Sequence, residues 1–264
     1  MRFVYIMRCL TAFPYYGIIS YQVIGESVYM KKIIMLADLH GNLTAVRAME
    51  KELMNVPHDE IWFLGDAVGK GPQNAETCDW VRKNCSRCIG GNWDLWVSDR
   101  NNTFKGNDYY QNQVGKERMD WLGSLPKETE AVISGIHFRI FHGRPAVGLV
   151  QGWDCDDCMA DFFTANGKTY GGIICADSHR PFIRSTHSGY AVNTGSIGNS
   201  LGVPKAHALL VEGEFDCPET SPLRMTILSV PYDNGEAAEI ARRTEGLPSK
   251  EAYINEILTG VYSR

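Results

Sequence analysis

The sequence predicts an α/β fold whose strands end in polar turns at one edge of a sheet. Two observations carry this. Short apolar runs alternate with segments whose apolar residues recur at helical spacing. The first three runs stop at turns bearing carboxylate, imidazole or amide groups: Asp38-Leu39-His40, Gly65-Asp66 and Gly91-Asn92. The chain has 264 residues, 44% hydrophobic and 22% charged, enough for one large α/β domain or two small ones.

Ile33-Ile34-Met35-Leu36-Ala37 reads as a buried central strand. Leu43, Val46, Met49 and Leu53 put one apolar stripe on the helix that follows, with Asn42 as its N-cap. Alternation along an extended segment sends residues i and i+2 to one side, so Asp38 and His40 are expected to reach a common point. Residues 60–64 form the second strand, closed by the glycine-rich loop Gly65-Asp66-Ala67-Val68-Gly69-Lys70-Gly71-Pro72. A helix over residues 74–84 leads to a third strand at 86–89, which ends in Gly90-Gly91-Asn92-Trp93-Asp94. Parallel strands with helical crossovers gather these polar ends at one sheet edge, where open α/β sheets place their ligand sites.

Residues 98–113 are polar and rich in Asn, and read as a surface excursion before a short helix at 115–122. Strands at 129–134 and 136–141 make a hairpin that ends in His142-Gly143-Arg144. Residues 146–168 read as a looser insert with a helix near 154–164. The strand at 172–175 ends in Asp177-Ser178-His179-Arg180. Strands at 182–186, 190–193, 206–212 and 225–230 complete the sheets, and helices at 236–244 and 249–258 finish the chain. Residues 1–29 are apolar and aromatic but broken by Arg8 and Pro14, short of the roughly 18 unbroken apolar residues of a membrane span. They are expected to form an extension outside a domain spanning residues 30–264, with Met30 as a natural start.

The net charge of −5 gives no sign of a surface for duplex nucleic acid, and no membrane attachment is expected. Eight cysteines without a compact framework predict reduced thiols and a cytoplasmic setting. The pairs Cys85/Cys88 and Cys155/Cys158 have zinc-ligand spacing. A shared zinc is disfavoured, because Cys85 and Cys88 on a strand would face opposite ways.

Asp38, His40, Asp66, Asn92, His142, Asp177 and His179 collect at strand ends. Carboxylate, imidazole and amide are the donor types of two divalent transition metals that share a bridging carboxylate. The oxygen-rich set favours manganese and leaves iron, zinc and nickel open. Trp96, Tyr109, Tyr110, Trp121 and Trp153 fall where they could rim the site and stack a base, while His58, His137, His187 and His207 are assigned to structure.

At these residues the chain resembles the calcineurin-like metallophosphoesterases, whose motifs run D-x-H, G-D, G-N-H-D/E, H-G and G-H-T-H. The order here is Asp38-Leu39-His40, Gly65-Asp66, Gly91-Asn92-Trp93-Asp94, His142-Gly143 and Ala176-Asp177-Ser178-His179. The small bacterial and archaeal YfcE-like phosphodiesterases resemble it further at residues 65–72, 193–198 and 230–233. The resemblance implies two mixed β-sheets packed as a sandwich and flanked by helices. It implies one metal held by Asp38, His40, Asp66 and His179, and a second by Asp66, Asn92, His142 and Asp177, with Asp66 as the bridge. Two metals about 3.5–4 Å apart can supply a bound hydroxide for in-line attack on phosphorus. Asp66 and Asn92 would then serve catalysis, and Arg144 and Arg180 would grip phosphate oxygens. The implied substrate is a small, nucleotide-like phosphodiester or phosphoanhydride. A dinucleoside polyphosphate hydrolase, a protein phosphatase and a catalytically weak scaffold remain alternatives, and self-association is left open. Two residues depart from the pattern: Asp177 and Trp93 each stand where the family usually has His.

Overall fold

The computed structural model describes residues 29–144 and 147–263. The expectation for the N-terminal extension therefore falls, but for Tyr29, outside the described residues.

Strand β1 (Lys31–Leu36) is followed by helix α1 (Leu43–Leu53), whose N-cap Asn42 accepts from the Ala45 amide at 3.1 Å. Next come β2 (Glu60–Phe63), α2 (Asn74–Asn84), β3 (Arg87–Cys88) and α3 (Asn92–Ser98). Helix α4 (Asn107–Ser124) precedes the hairpin of β4 (Glu128–Ile133) and β5 (Ile136–Phe141). The insert holds α5 (Asp156–Ala160) and two short strands, β6 (Thr164–Ala165) and β7 (Lys168–Thr169). Then follow β8 (Gly172–Cys175), β9 (Phe182–Thr186), β10 (Gly189–Asn193), β11 (Ala206–Gly213) and β12 (Arg224–Val230). Helices α6 (Asn234–Arg243) and α7 (Lys250–Thr259) complete the order.

Two five-stranded mixed sheets form the centre, in the orders β12-β11-β1-β2-β3 and β4-β5-β8-β10-β9. Strands β1, β2 and β3 are parallel, as the helical crossovers require. Between the sheets lies an apolar layer in which Ile33, Met35 and Leu209 of the first meet Phe138, Ile140, Ile174 and Val192 of the second. The alternate residues of β1, Ile34 and Leu36, pack outward with Val46, Met49 and Val81 of α1 and α2. Burial on both faces explains the unbroken apolar run of β1. Among the described residues no helix is long and apolar enough to cross a membrane.

The structure differs from expectation in four places. Helix α4 starts at Asn107, inside the stretch read as a surface excursion, and breaks at Gly115, where φ is 74° and ψ 164°. The break divides its apolar residues between two directions, so no single stripe marks it in the sequence. Helix α3, read as a turn, begins at Asn92 itself. Cys155 and Cys158, expected as thiols, form a disulfide with their Cα atoms 5.1 Å apart. The first turn of α5 brings them together, with Cys155 Sγ also accepting from the Cys158 amide at 3.2 Å. Cys85 ends α2 rather than sitting on a strand, and so meets the Cys88 thiol.

Candidate metal centre

The polar residues at the strand ends converge on one edge of the sandwich. Asp38 and His40 follow β1, Asp66 follows β2, Asn92 opens α3, His142 follows β5, and Asp177 and His179 follow β8. Asp38, His40 and His142 are at most 1% exposed. The turns achieve this by a route that alternation does not describe. Asp38, His40, Asp66, Asp177 and His179 all have positive φ, between 46° and 62°. Left-handed backbone is uncommon for residues with a Cβ, though Asp and His tolerate it better than most. Cross-strand bonds hold it: the Leu39 and His40 amides both donate to Asp66 O, at 2.8 and 3.2 Å, and the Asp38 amide donates to Gly65 O at 2.9 Å.

The imidazoles share one arrangement. Nδ1 of His40, His142 and His179 meets a main-chain carbonyl, respectively Val68 O at 3.1 Å, Leu64 O at 2.7 Å and Asn199 O at 2.6 Å. A proton on each Nδ1 leaves each Nε2 as a lone-pair donor, the tautomer a metal ligand needs. These Nε2 atoms point at carboxylates. Asp38 Oδ1 lies 3.5 Å from His40, 3.3 Å from His179 and 3.8 Å from His142. Asp66 Oδ2 lies 3.6 Å from His40 and 3.3 Å from His142. Two donor groups result, Asp38–His40–His179 and Asp38–Asp66–His142. Asp38 belongs to both, while the single oxygen Asp66 Oδ2 also faces both sides.

The donor set fits divalent metal ions. Both Asp38 oxygens, Asn92 Oδ1 and His142 Nε2 are buried without a hydrogen-bond partner among the described residues. Buried orphan acceptors are costly, and cations at the two donor groups would satisfy all four. Burial opposes charge on Asp38, but His179 and His142 hold its carboxyl well below the usual range. Burial opposes charge on His142 too, yet Asp66 and Asp38 raise it well above an ordinary imidazole. Burial and Lys70 push His40 down to about 3.

Asp94 is the knot beneath the site. Its carboxylate accepts from the amides of Asp66 at 2.7 Å, Ala67 at 2.9 Å and Gly91 at 3.1 Å, tying the β2 turn to α3. Burial and Asp66 push its carboxyl up to about 7.

A cavity of about 530 Å³ opens over these groups, lined also by Lys70, Trp93, Trp96, Arg144, Trp153, Arg180 and Tyr262. Of the five aromatic candidates, Trp96 and Trp153 line it, while Tyr110 is buried in the core. Arg180 lies over the Trp153 ring, 5.3 Å from its centroid. Arg144, expected to grip phosphate oxygens, binds Asp177 through Nε, Nη2 and its backbone amide, at 2.9, 2.7 and 2.9 Å. Asp177 joins neither donor group.

Trp93 and His40 meet with ring planes near perpendicular and centroids 6.1 Å apart, and Trp93 packs on Trp96, Phe104 and Tyr110. Gly69 is required beneath it, because a Cβ there would come within 2.3 Å of the indole. Lys70, next in the chain, was passed over in the sequence. It is 7% exposed, its Nζ donates to Asn199 Oδ1 at 2.8 Å, and it lies 3.5 Å from His179 Nε2. A lysine four residues after a strand-end Asp, in a glycine-rich loop, was the signal available.

Comparisons with known proteins agree with this geometry. An uncharacterized protein of Methanocaldococcus jannaschii is 28% identical over 233 residues, covering 78% of this chain and 90% of that one. A symmetrical bis(5′-nucleosyl)-tetraphosphatase of Erwinia tasmaniensis is 33% identical over 64 residues, 23% of each chain. The fold matches a crystal structure of a metallophosphoesterase from Sphaerobacter thermophilus with a TM-score of 0.68 at 21% identity, covering 88% of this chain and 99% of that one. It also matches a hypothetical protein from Pyrococcus horikoshii, with a TM-score of 0.70 at 19% identity, over 89% and 100% of the two chains. The family model of the calcineurin-like phosphoesterase superfamily domain matches residues 30–214, a span that holds every strand-end donor described above. The chain belongs to that superfamily.

Proposed function

We propose that the protein is a divalent-metal-dependent phosphoesterase that hydrolyses small phosphodiesters or nucleotide phosphoanhydrides. One observation carries this reading: three buried imidazoles, each fixed through Nδ1 to a carbonyl, turn Nε2 toward Asp38 and Asp66. One metal position comprises Asp38, His40, Asp66 and His179. The other comprises Asp66, Asn92 and His142, with Asp177 alongside. The oxygen share of the set favours manganese. Bound there, two such ions supply Lewis-acid charge on the phosphoryl oxygens and a water activated at neutral pH.

The chain's own residues set the rest. Asp66 is oriented by the Trp93 amide, which donates to Oδ1 at 2.8 Å and leaves Oδ2 for the metals. Lys70 and Arg180 bring positive charge to the cavity wall, where phosphoryl oxygens gather charge in the transition state. The cavity lies within the roughly 300–1,000 Å³ of small-molecule sites, which suits a nucleotide-sized substrate and no duplex. The short likeness to a dinucleoside tetraphosphatase supports phosphoanhydrides as the second substrate class.

The test is a hydrolysis screen over cyclic nucleotides, dinucleoside polyphosphates, aryl phosphodiesters and phosphopeptides, before and after chelation and with Mn²⁺ restored. Metal-dependent turnover of a diester or anhydride is expected. A purified protein that retains no divalent metal and hydrolyses nothing overturns the reading.

A further inference from the structure

Asp177 occupies a position that the family's motif gives to an imidazole ligand, yet its surroundings are those of an anchor. A carboxylate offers about four acceptor positions. Arg144 fills three of them: Oδ2 takes the Nε proton and the backbone amide, and Oδ1 takes Nη2. The Asp177 side chain is 3% exposed and that of Arg144 53%. Arg144 therefore leans on a buried carboxylate and shows the rest of its guanidinium to the cavity. The chain permits the contact through Gly143, where a Cβ would fall 2.7 Å from Asp177 Cβ and Oδ2. The guanidinium neutralises the carboxylate at the place where a metal would need its full charge.

We infer that Asp177 is the positioning residue of Arg144 and not a metal donor, so that a carboxylate–guanidinium unit replaces the imidazole of the motif. This rests on the phosphoesterase reading for its setting only. The unit changes the division of labour at the centre. The position at Asp66, Asn92 and His142 keeps three protein donors and binds its ion more weakly than the position at Asp38, His40, Asp66 and His179. In exchange, the substrate phosphoryl group meets a guanidinium held in one orientation before it arrives, so little freedom is lost on binding.

The experiment uses the full chain loaded with Mn²⁺ and needs no turnover. Stepwise Mn²⁺ affinities come from calorimetry, and inorganic phosphate affinity is measured on the loaded protein. Native protein should show two unequal Mn²⁺ steps. Asp177→Asn should leave both within about twofold and weaken phosphate binding by about tenfold or more, the scale of one charge-assisted contact. Arg144→Met should do the same, and the double variant should lose no more than either alone. A fall of tenfold or more in one Mn²⁺ step with Asp177→Asn would make Asp177 a ligand and sink the inference. Phosphate affinity unchanged in Arg144→Met would also overturn it, whether or not the Asp177 variant folds. An inactive native protein would bear on the phosphoesterase reading alone.

Discussion

The Nε2 atoms of His40 and His179 lie 3.2 Å apart, although 139 positions separate the two residues. With both Nδ1 protons given to carbonyls, two lone pairs face one another, and a shared cation resolves the conflict. Ion binding should therefore stabilise the fold, because the unfolded chain holds no such pair. The expected outcome is a melting temperature that rises with Mn²⁺ and falls on chelation, read by calorimetry.

Asp66 carries the first substitution. Asp66→Asn keeps the shape but removes the negative charge that faces both positions and puts an NH2 donor in place of one oxygen. Bound metal and turnover should fall together, measured by elemental analysis and by rate on one substrate. A variant with full metal and full rate would place the bridge elsewhere, with Asp38 the first alternative, since it belongs to both donor groups.

Lys70 carries the second. Its ammonium sits in the cavity at a fixed place, held by Asn199, which in turn donates to Glu256 of α7 at 3.1 Å. Charge-assisted contacts contribute about 1.5–3 kcal/mol, so Lys70→Met should lower kcat/KM by about 10–100-fold, with Lys70→Arg retaining part of it. Metal content should stay unchanged; if it falls instead, Lys70 supports the ligands and not the substrate.

Trp93 stands where the family usually has His, an imidazole able to give a proton near neutral pH. An indole N–H donates a hydrogen bond but keeps its proton at neutral pH. General acid catalysis contributes about 10²–10⁴-fold, so its absence makes the rate depend steeply on leaving-group basicity. Aryl and nucleotide leaving groups should be favoured over simple alcohols, and Trp93→His should flatten the dependence. A series of aryl and alkyl phosphodiesters assayed with both proteins decides it. A shallow slope in the native protein would mean that another group already gives the proton.

Away from the candidate metal centre, His207 sets a pH dependence. It is buried between Ser200 and Ser229, and burial pushes its imidazole down to about 4. The folded value lies below the unfolded one of about 6.5, so the unfolded chain binds the proton more readily. The contribution of His207 is complete above about pH 6.5 and is lost as pH falls toward 4. His207→Gln should flatten that limb of the melting profile in metal-free protein. An identical slope in both proteins would assign the acid sensitivity to other groups.

The first three strand ends were legible because β1 and β2 are short, buried on both faces and followed at once by Asp, His or a glycine turn. His142 and His179 were equally plain, each at the close of an apolar run. What the sequence hid depends on partners distant in the chain. Nothing near Asp177 shows that Arg144, 33 residues earlier, fills its oxygens. Nothing near Lys70 shows that Asn199 and Glu256 fix its ammonium. Helix α4 was missed because its apolar residues, split by Gly115, serve two packing directions.

The left-handed backbone at the donor residues bears on how this chain can change. Each such conformation costs roughly 1 kcal/mol or more for a residue other than glycine. Glycine at Asp38 or Asp66 would relieve it, and asparagine would also remove a buried charge. Most replacements elsewhere in the core weaken the fold, whereas these would strengthen it while emptying the centre of donors. A lineage or a laboratory selection that rewards folding alone would thus lose its chemistry first at the turns after β1 and β2. Persistence of Asp and His there through many generations requires that the chemistry itself be under selection.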